Sequence, residues 1–262
     1  MKKDSEEVTL IITGRYDQGT TEENELVSAI LGGENTQERF NIYFNWYNTI
    51  HEVGHLVSSL IGNNFSFLEE ERFANAFAVA FWKSYGNEEI FNELRSLVPF
   101  AVGKFNRPVA EDEDISDFAQ LMESGKIEAN FNNYGWFQFS LVSQVLAENK
   151  DLENLLIDCG LTLTKIPEPK TLEFSSISEH DIPKILKAVF TILADWGISI
   201  PRNIYHALSN NPNHHMVLNF TSDEQKAIRE ALGLDADVTV AKMLEKVVKT
   251  QLDKVFNMNH IW

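Results

Sequence analysis

The apolar residues of this chain recur mostly with the period of a helix. From Phe40 onward they stand three or four residues apart, and this spacing predicts a helix that continues to about Ile61. Asn35, followed three residues later by Glu38, is expected to cap its start, and Gly62 to mark its end. The apolar positions of this helix are Phe40, Tyr43, Phe44, Tyr47, Ile50 and Leu56.

Most other segments also show a helical pattern of apolar residues, and one segment predicts a strand instead. Val8–Thr13 is a β-branched and apolar run that stops at Gly14, and it predicts a strand. Further helices are predicted over residues 21–31, 69–82, 87–97, 182–196, 222–233 and 238–256. Pro99 is expected to end the third of these helices. The fold class is therefore expected to be mainly α (α+β), with a small N-terminal β element.

The expected domain organisation has two parts. Residues 1–100 are expected to form the core of the protein, and residues 101–262 a helical region. Pro167-Glu168-Pro169 predicts a rigid connector, so any subdivision of the helical region is expected near 167–169.

Charge and cysteine content narrow the classes of function. The chain has 22 Lys and Arg against 39 Asp and Glu, a formal net charge of −17, and such a surface repels phosphate backbones, so no nucleic-acid partner is expected. Neither a signal sequence nor an apolar run of about 18 residues is found, so no membrane association is expected. Cys159 is the single cysteine, which excludes an intrachain disulfide and favours a cytoplasmic location.

A metal-binding motif, His51-Glu52-Val53-Gly54-His55, lies within the helix predicted to end at Ile61. Residues four apart on a helix stand one above the other, so the two imidazoles face one point and can bind one metal ion. Glu52 lies near the same face, where a carboxylate that does not bind the metal can take a proton from the attacking water. Gly54 indicates either close packing of another backbone or a tolerated glycine.

A third ligand is expected from the start of the next helix, where Glu69, Glu70 and Glu71 follow one another. A short turn places this helix antiparallel to the first and brings its first turns beside His55. A carboxylate there can complete the metal site, although acidic residues also favour a helix N-terminus without any metal. Asn75, one turn after Glu71, is a candidate to hydrogen-bond a ligand imidazole.

Two segments together resemble the signature helices of the ImmA/IrrE family of zinc metallopeptidase domains: T-I-H-E-V-G-H-L-V (residues 49–57) and E-R-F-A-N-A-F-A (residues 71–78). The resemblance covers about residues 47–82. It implies a zincin-like core with two antiparallel active-site helices, in which His51 and His55 bind zinc, Glu52 is the catalytic base and Glu71 is the third ligand. The sequence leaves open whether Glu70 takes the place of Glu71.

Residues 130–139 (N-F-N-N-Y-G-W-F-Q-F) are rich in aromatic residues. They can line a peptide-binding groove in which Tyr134 donates a hydrogen bond to an oxyanion, or they can form the core-packed start of a helix. His206, His214 and His215 offer a similar choice. In some zincins a distant histidine lies over the metal, whereas histidines in a loop are more often surface residues.

The function expected from these features is zinc-dependent hydrolysis of a peptide bond in an intracellular protein or peptide. Zn²⁺ is the expected cofactor, although a set of two histidines and one carboxylate also binds iron and other divalent metals. The alternative is a metallopeptidase-like fold with little or no catalysis, in which the C-terminal half binds a partner and the protein acts as a binding or regulatory module.

Overall fold

Helices predominate in the computed structural model, which describes residues 7–62, 65–128, 130–164, 171–174, 177–212, 215–235, 238–247 and 252–257. Short 3₁₀ turns lie at Tyr16–Gln18 and Glu179–Asp181, and a π-helical turn, Asn41–Tyr47, joins α2 (Thr36–Phe40) to α3 (Asn48–Ile61). The other helices are α1 (Thr21–Leu31), α4 (Phe67–Tyr85), α5 (Glu88–Val102), α6 (Ile115–Glu123), α7 (Phe131–Glu148), α8 (Leu152–Asp158), α9 (Ile182–Asp195), α10 (Ser222–Ala231) and α11 (Val240–Val247).

A single sheet of four strands is seen in the described residues. The strands are β1 (Val8–Gly14), β2 (Asn203–Ser209), β3 (Met216–Phe220) and β4 (Leu252–Asn257), in the order β3-β1-β2-β4. β1 pairs with β2 in parallel, and β3 and β4 pair antiparallel to β1 and β2 respectively. Parallel strands cannot be joined by a tight turn and need a crossover connection. The connection between β1 and β2 contains the helices α1 to α9.

Both faces of the central strands are buried, as is typical where a parallel pair is covered on each side. Ile11, Ile204 and Leu208 face the large helical core. The alternate residues, among them Leu10 and Tyr205, pack in a second cluster with residues of α10 and α11. The all-apolar run in β1 therefore follows from burial on both faces of the strand.

α3, which carries the metal-binding motif, packs against α4, which carries the three consecutive glutamates. α4 begins with a capping box, in which the Ser66 hydroxyl accepts from the Glu69 amide and the Glu69 carboxylate accepts from the Ser66 amide. Such a cap fixes the first residue of a helix and so the direction in which the next side chains point. Gly62 ends α3 in the left-handed conformation, with φ of 68°, which glycine adopts without strain.

The fold class, mainly α (α+β), is confirmed, as are the predicted strand at β1 and the helices α1, α4 and α9. The predicted cap at Asn35 is wrong: this residue has a φ of 55° and its side chain makes no capping bond, because an N-cap requires an extended backbone. Pro99 does not end α5, which continues to Val102. Leu97, Val98 and Ala101 are buried, so their packing offsets the hydrogen bond that the proline removes.

The prediction of one helix over residues 238–256 is also wrong. α11 ends at Val247, and Leu252–Asn257 forms the strand β4 along β2. An unpaired edge of β2 needs backbone partners, and such pairing overrides a helical pattern of apolar residues. The strands β2 and β3 were not predicted either, so the C-terminal region contributes three strands beside its helices.

The sheet joins the first and last parts of the chain, because β1 pairs with β2 and β3. The large apolar core likewise contains residues from Ile11 to Leu208. The connector Pro167-Glu168-Pro169 lies outside the described residues. Among those that are described, no helix combines the length and the apolar character that crossing a bilayer requires.

Candidate metal centre

His51, His55 and Glu71 lie together between α3 and α4. The Nε2 atoms of the two histidines are 3.1 Å apart. The Glu71 carboxylate lies 3.5 Å from Nε2 of His51 through Oε2 and 3.9 Å from Nε2 of His55 through Oε1. One potential ligand atom from each of the three residues lies within 4.8 Å of the others. The two histidines and the carboxylate that the sequence selected are thus brought to one point.

Two of these separations are close to the spacing of ligand atoms around a tetrahedral divalent ion, whereas the 3.9 Å between Glu71 and His55 is longer. Bonds of about 2.0–2.1 Å at tetrahedral angles separate two ligand atoms by about 3.3 Å, close to the 3.1 and 3.5 Å distances in this site. Burial, followed by the neighbouring His55, holds the pKa of His51 well below its ordinary value. His51 is therefore neutral at pH 7 and has a lone pair to offer, so the donor set fits a divalent metal.

The three consecutive glutamates at the start of α4 have three different roles. Glu69 caps the helix through Ser66. Glu70 is half-exposed, and its Oε1 lies 3.3 Å from Nδ1 of His55, the ring nitrogen that does not face His51. Glu71 is buried and faces both Nε2 atoms. The geometry thus places Glu71 among the candidate ligands and Glu70 behind one of them, where a carboxylate fixes the orientation of a ligand imidazole.

Gln138, on α7, holds Glu71 from the other side. Its Nε2 donates to Oε2 of Glu71 at 2.7 Å and to the hydroxyl of Tyr134 at 2.9 Å. Its Oε1 accepts from Nδ2 of Asn75 at 3.2 Å. Because its two amide hydrogens and its oxygen all have partners, the side chain has one orientation and fixes the carboxylate of Glu71.

Asn75 belongs to the same network, as its position one turn after Glu71 suggested. Its Oδ1 accepts from the hydroxyl of Tyr47 at 2.9 Å, and its Nδ2 also donates to the backbone oxygen of Glu71 at 2.8 Å. Among the described residues, Nδ1 of His51 has no hydrogen-bond partner, so the bond predicted from Asn75 to a ligand imidazole is not seen. Asn75 instead fixes the helix turn that presents Glu71, through the bond to its backbone oxygen.

Gly54 allows α3 and α4 to approach closely at this point. A Cβ atom at Gly54 would lie 2.7 Å from Cα of Ala74 and 3.0 Å from its backbone oxygen, closer than a carbon atom can pack. Of the two interpretations of this glycine, the structure supports close packing of another backbone.

The π-helical turn before α3 brings aromatic residues into line with the motif. Tyr43, Tyr47 and His51 follow one another at intervals of four residues, and the rings of Tyr43 and Tyr47 are stacked with centroids 5.4 Å apart. Turns of this kind occur frequently at functional sites, and they rotate side chains out of the regular helical pattern. Nothing in the apolar spacing of residues 40–56 distinguished this turn from an α-helix.

Glu52 is half-buried, and it lines a cavity beside His51. Burial raises its pKa to about 7, an effect that the neighbouring His55 opposes. The amide of Asn48 donates to its Oε1 at 3.3 Å. Glu52 faces the cavity rather than joining the three candidate ligands, and it is set to exchange a proton near neutral pH.

Tyr134 lies at the same cavity, in the first turn of α7, with 40% of its surface exposed. Burial of the hydroxyl and the nearby Glu71 raise its pKa, so the hydroxyl is protonated. The segment 130–139 is divided between the two predicted roles, since Phe131 and Tyr134 line the cavity whereas Phe137 is fully buried in a core cluster.

The three histidines of the C-terminal region have different positions. His206 is not a surface residue, because it is fully buried on β2 with Nε2 2.9 Å from the hydroxyl oxygen of Thr13. His215 lines the cavity and stacks on Phe44 with ring centroids 5.2 Å apart. His214 lies outside the described residues.

Comparisons of the chain with protein-family models, with curated proteins and with solved structures found no match. The resemblance to the ImmA/IrrE family therefore depends on the two motifs and on the geometry of the residues within them.

Proposed function

We propose that this protein is a zinc-dependent metallopeptidase of the ImmA/IrrE type, with His51, His55 and Glu71 as the metal ligands. The observation that supports the proposal most strongly is the position of Glu71. This residue comes from a different helix, and its carboxylate completes a set of three ligand atoms within 4.8 Å of one another. Zn²⁺ in such a site would polarise the scissile carbonyl and lower the pKa of bound water towards about 7.

Glu52 is the general base of the proposed reaction. Its carboxylate lines the cavity beside His51, and its pKa of about 7 allows it both to accept a proton from water and to release it to the leaving amine. Asn48 holds the carboxylate in place through Oε1. A carboxylate with a much higher pKa would not release the proton to the leaving amine. One with a much lower pKa would not take the proton from water.

Tyr134 is proposed to stabilise the developing oxyanion of the substrate. Its hydroxyl oxygen accepts a hydrogen bond from Gln138, which leaves the hydroxyl hydrogen available to a substrate oxygen in the cavity. Donors aimed at the position where negative charge develops contribute strongly to acyl-transfer reactions. The proposed substrate is an intracellular peptide or protein, and the proposed location is the cytoplasm, in agreement with a single cysteine.

The first experiment is the metal content of the protein purified without added metal, measured by elemental mass spectrometry. Near-stoichiometric zinc is expected in the wild type and in His180→Ala, which replaces an exposed histidine away from the site. Zinc is expected to be lost in His51→Ala and Glu71→Ala. A wild type that binds no metal after zinc titration would overturn the proposal.

The second experiment tests catalysis with a library of unstructured peptides. Glu52→Gln is expected to keep its zinc but to lose turnover, because the amide cannot accept the proton. Cleavage by Glu52→Gln at the wild-type rate would remove Glu52 from its role. Stoichiometric zinc without cleavage of any peptide would instead favour the binding or regulatory module.

A further inference from the structure

The cavity beside the candidate metal centre is built largely from aromatic and aliphatic side chains. It has a volume of about 280 Å³ and opens next to His51 and Glu52. Val27 and Ile30 of α1, Phe44 of the π-helical turn and Phe139 of α7 form much of its apolar wall. Residues from three separate parts of the fold therefore enclose a space that directly adjoins the proposed catalytic groups.

The charge of the wall restricts what can enter. Among the described residues that line the cavity, Glu52 is the only Asp, Glu, Lys or Arg, and this carboxylate is assigned to catalysis. An aspartate side chain placed deep in the cavity would lose its hydration without gaining a counter-ion, and a lysine side chain could pair only with the carboxylate of Glu52, so burying either charge is costly. An apolar side chain would gain free energy from the same burial.

The size of the cavity selects between an entire organic ligand and a single side chain. Sites for drug-sized molecules usually measure about 300–1,000 Å³, so 280 Å³ is at or below the lower limit. A dry cavity of about 150 Å³ is enough to bind benzene. The space thus has room for one aromatic ring or an indole, and its size favours a single side chain over a larger cofactor.

The rim of the cavity is apolar as well. Phe131 and Tyr134 line it and are 52% and 40% exposed, which is unusual for large aromatic residues in one helical turn. Exposed aromatic residues next to a recess are typical of surfaces that bind an extended peptide, since their faces pack on backbone and side chains alike.

We propose that this cavity is the specificity pocket of the peptidase and that it binds a large apolar side chain, preferably aromatic, of the residue beside the scissile bond. The proposal rests on the proposed peptidase function, because it assigns the substrate class of the same site. His51 lies at one edge of the pocket, but the apolar residues of its wall, such as Val27 and Phe44, are not among the candidate ligands, so they can be changed without replacing His51, His55 or Glu71.

Binding can be tested without metal or turnover. N-acetyl-phenylalaninamide, N-acetyl-alaninamide and N-acetyl-lysinamide are titrated into the metal-free protein, and affinities are measured by NMR. The phenylalanine compound is expected to bind at least about tenfold more tightly than the other two, as burial of a phenyl group implies. Equal affinities for the three compounds would overturn the proposal.

Two variants test whether the preference for the phenylalanine compound depends on this cavity. Val27→Phe places a ring in the cavity and is expected to abolish the preference for the phenylalanine compound. Leu26→Phe is the matched control, because it makes the same kind of change at the adjacent residue, which is 44% exposed and does not line the cavity. A preference that survives in a folded Val27→Phe protein would overturn the assignment of the pocket. If Val27→Phe does not fold, Phe44→Ala is used, which is expected to widen the pocket and favour N-acetyl-tryptophanamide.

A cleavage assay distinguishes failure of the pocket proposal from failure of the peptidase function on which it rests. Peptides that differ at one position are incubated with the zinc-loaded protein, and phenylalanine at that position is expected to raise kcat/KM about tenfold over alanine. Cleavage with no such preference would overturn the pocket while the peptidase function stands. Tight binding of the phenylalanine compound without cleavage of any peptide would support the pocket and overturn the peptidase.

Discussion

A Cβ atom at Gly54 would lie 2.7 Å from Cα of Ala74, so the two helices that present the candidate ligands meet backbone to backbone. Gly54→Ala is therefore expected to push α3 and α4 apart. Overpacking of this kind costs about 1–3 kcal/mol, and it should also weaken zinc binding, because Glu71 lies one turn before Ala74. Urea unfolding and competition with a zinc chelator measure the two effects.

Gly103→Ala is the control for this change. Gly103 has a φ of −69°, and a Cβ atom there meets nothing closer than 3.5 Å, so its free energy of unfolding should change by less than about 0.5 kcal/mol. Equal behaviour of the two alanine variants would show that Gly54 is tolerated rather than required.

The sequence predicts the candidate ligands of this site but not the groups that position them. His51 and His55 are four residues apart, and a helix of any kind places them together. A carboxylate at the start of α4 follows from a short turn and an antiparallel helix, and the family resemblance implies Glu71, but the sequence leaves the choice between Glu70 and Glu71 open. Gln138 is far away in sequence and reaches Glu71 only through the packing of α7 on α4. The single earlier signal for it is the amide-rich and aromatic segment 130–139, which was selected for Tyr134.

The errors in the fold have a similar origin. The helical pattern at residues 238–256 is real in the sequence, but Leu252–Asn257 pairs with a strand that lies elsewhere in the chain. Likewise, no local pattern identifies β2 and β3, since each exists by pairing with β1. Local periodicity predicts helices well because their hydrogen bonds are local, whereas strands depend on partners that a single sequence does not identify.

We expect three different effects on zinc affinity when the glutamates at the start of α4 are replaced, one at a time, by glutamine. Glu71→Gln is expected to abolish zinc binding. Glu70→Gln should weaken it by about tenfold, because the carboxylate behind His55 orients the ring without binding the metal. Glu69→Gln should leave the zinc affinity unchanged, since Glu69 serves the helix cap. Chelator competition ranks the three variants, and a larger loss in Glu70→Gln than in Glu71→Gln would exchange their roles.

Gln138→Leu tests whether the network behind Glu71 supports the metal site. Leucine keeps most of the volume of glutamine but removes the 2.7 Å hydrogen bond to Oε2 of Glu71. The zinc affinity is expected to fall about tenfold, within the range seen when a partner of a metal ligand is lost. Gln144→Leu is the control on the same helix, where the amide accepts from Arg72 at the surface. An unchanged affinity in Gln138→Leu would show that Glu71 needs no such support.

Stability is expected to fall in acid because of His206. Burial lowers its pKa from 6.5 to about 3, so below pH 6.5 the unfolded chain takes up a proton that the folded protein does not. Its contribution to stability is therefore fully present above about pH 6.5 and is lost as the pH falls towards 3. The slope from this one residue approaches about 1.4 kcal/mol per pH unit in the middle of that range.

His206→Gln isolates this contribution, since glutamine does not titrate and can still bond to Thr13, which lies 2.9 Å from Nε2 in the wild type. Urea unfolding at pH 7 and at pH 5 is expected to show a smaller loss of stability in His206→Gln than in the wild type. His180→Gln, at an exposed position, should lose as much stability as the wild type. Parallel curves for the wild type and His206→Gln would mean that His206 is protonated in the folded protein, and that the sheet accommodates its charge.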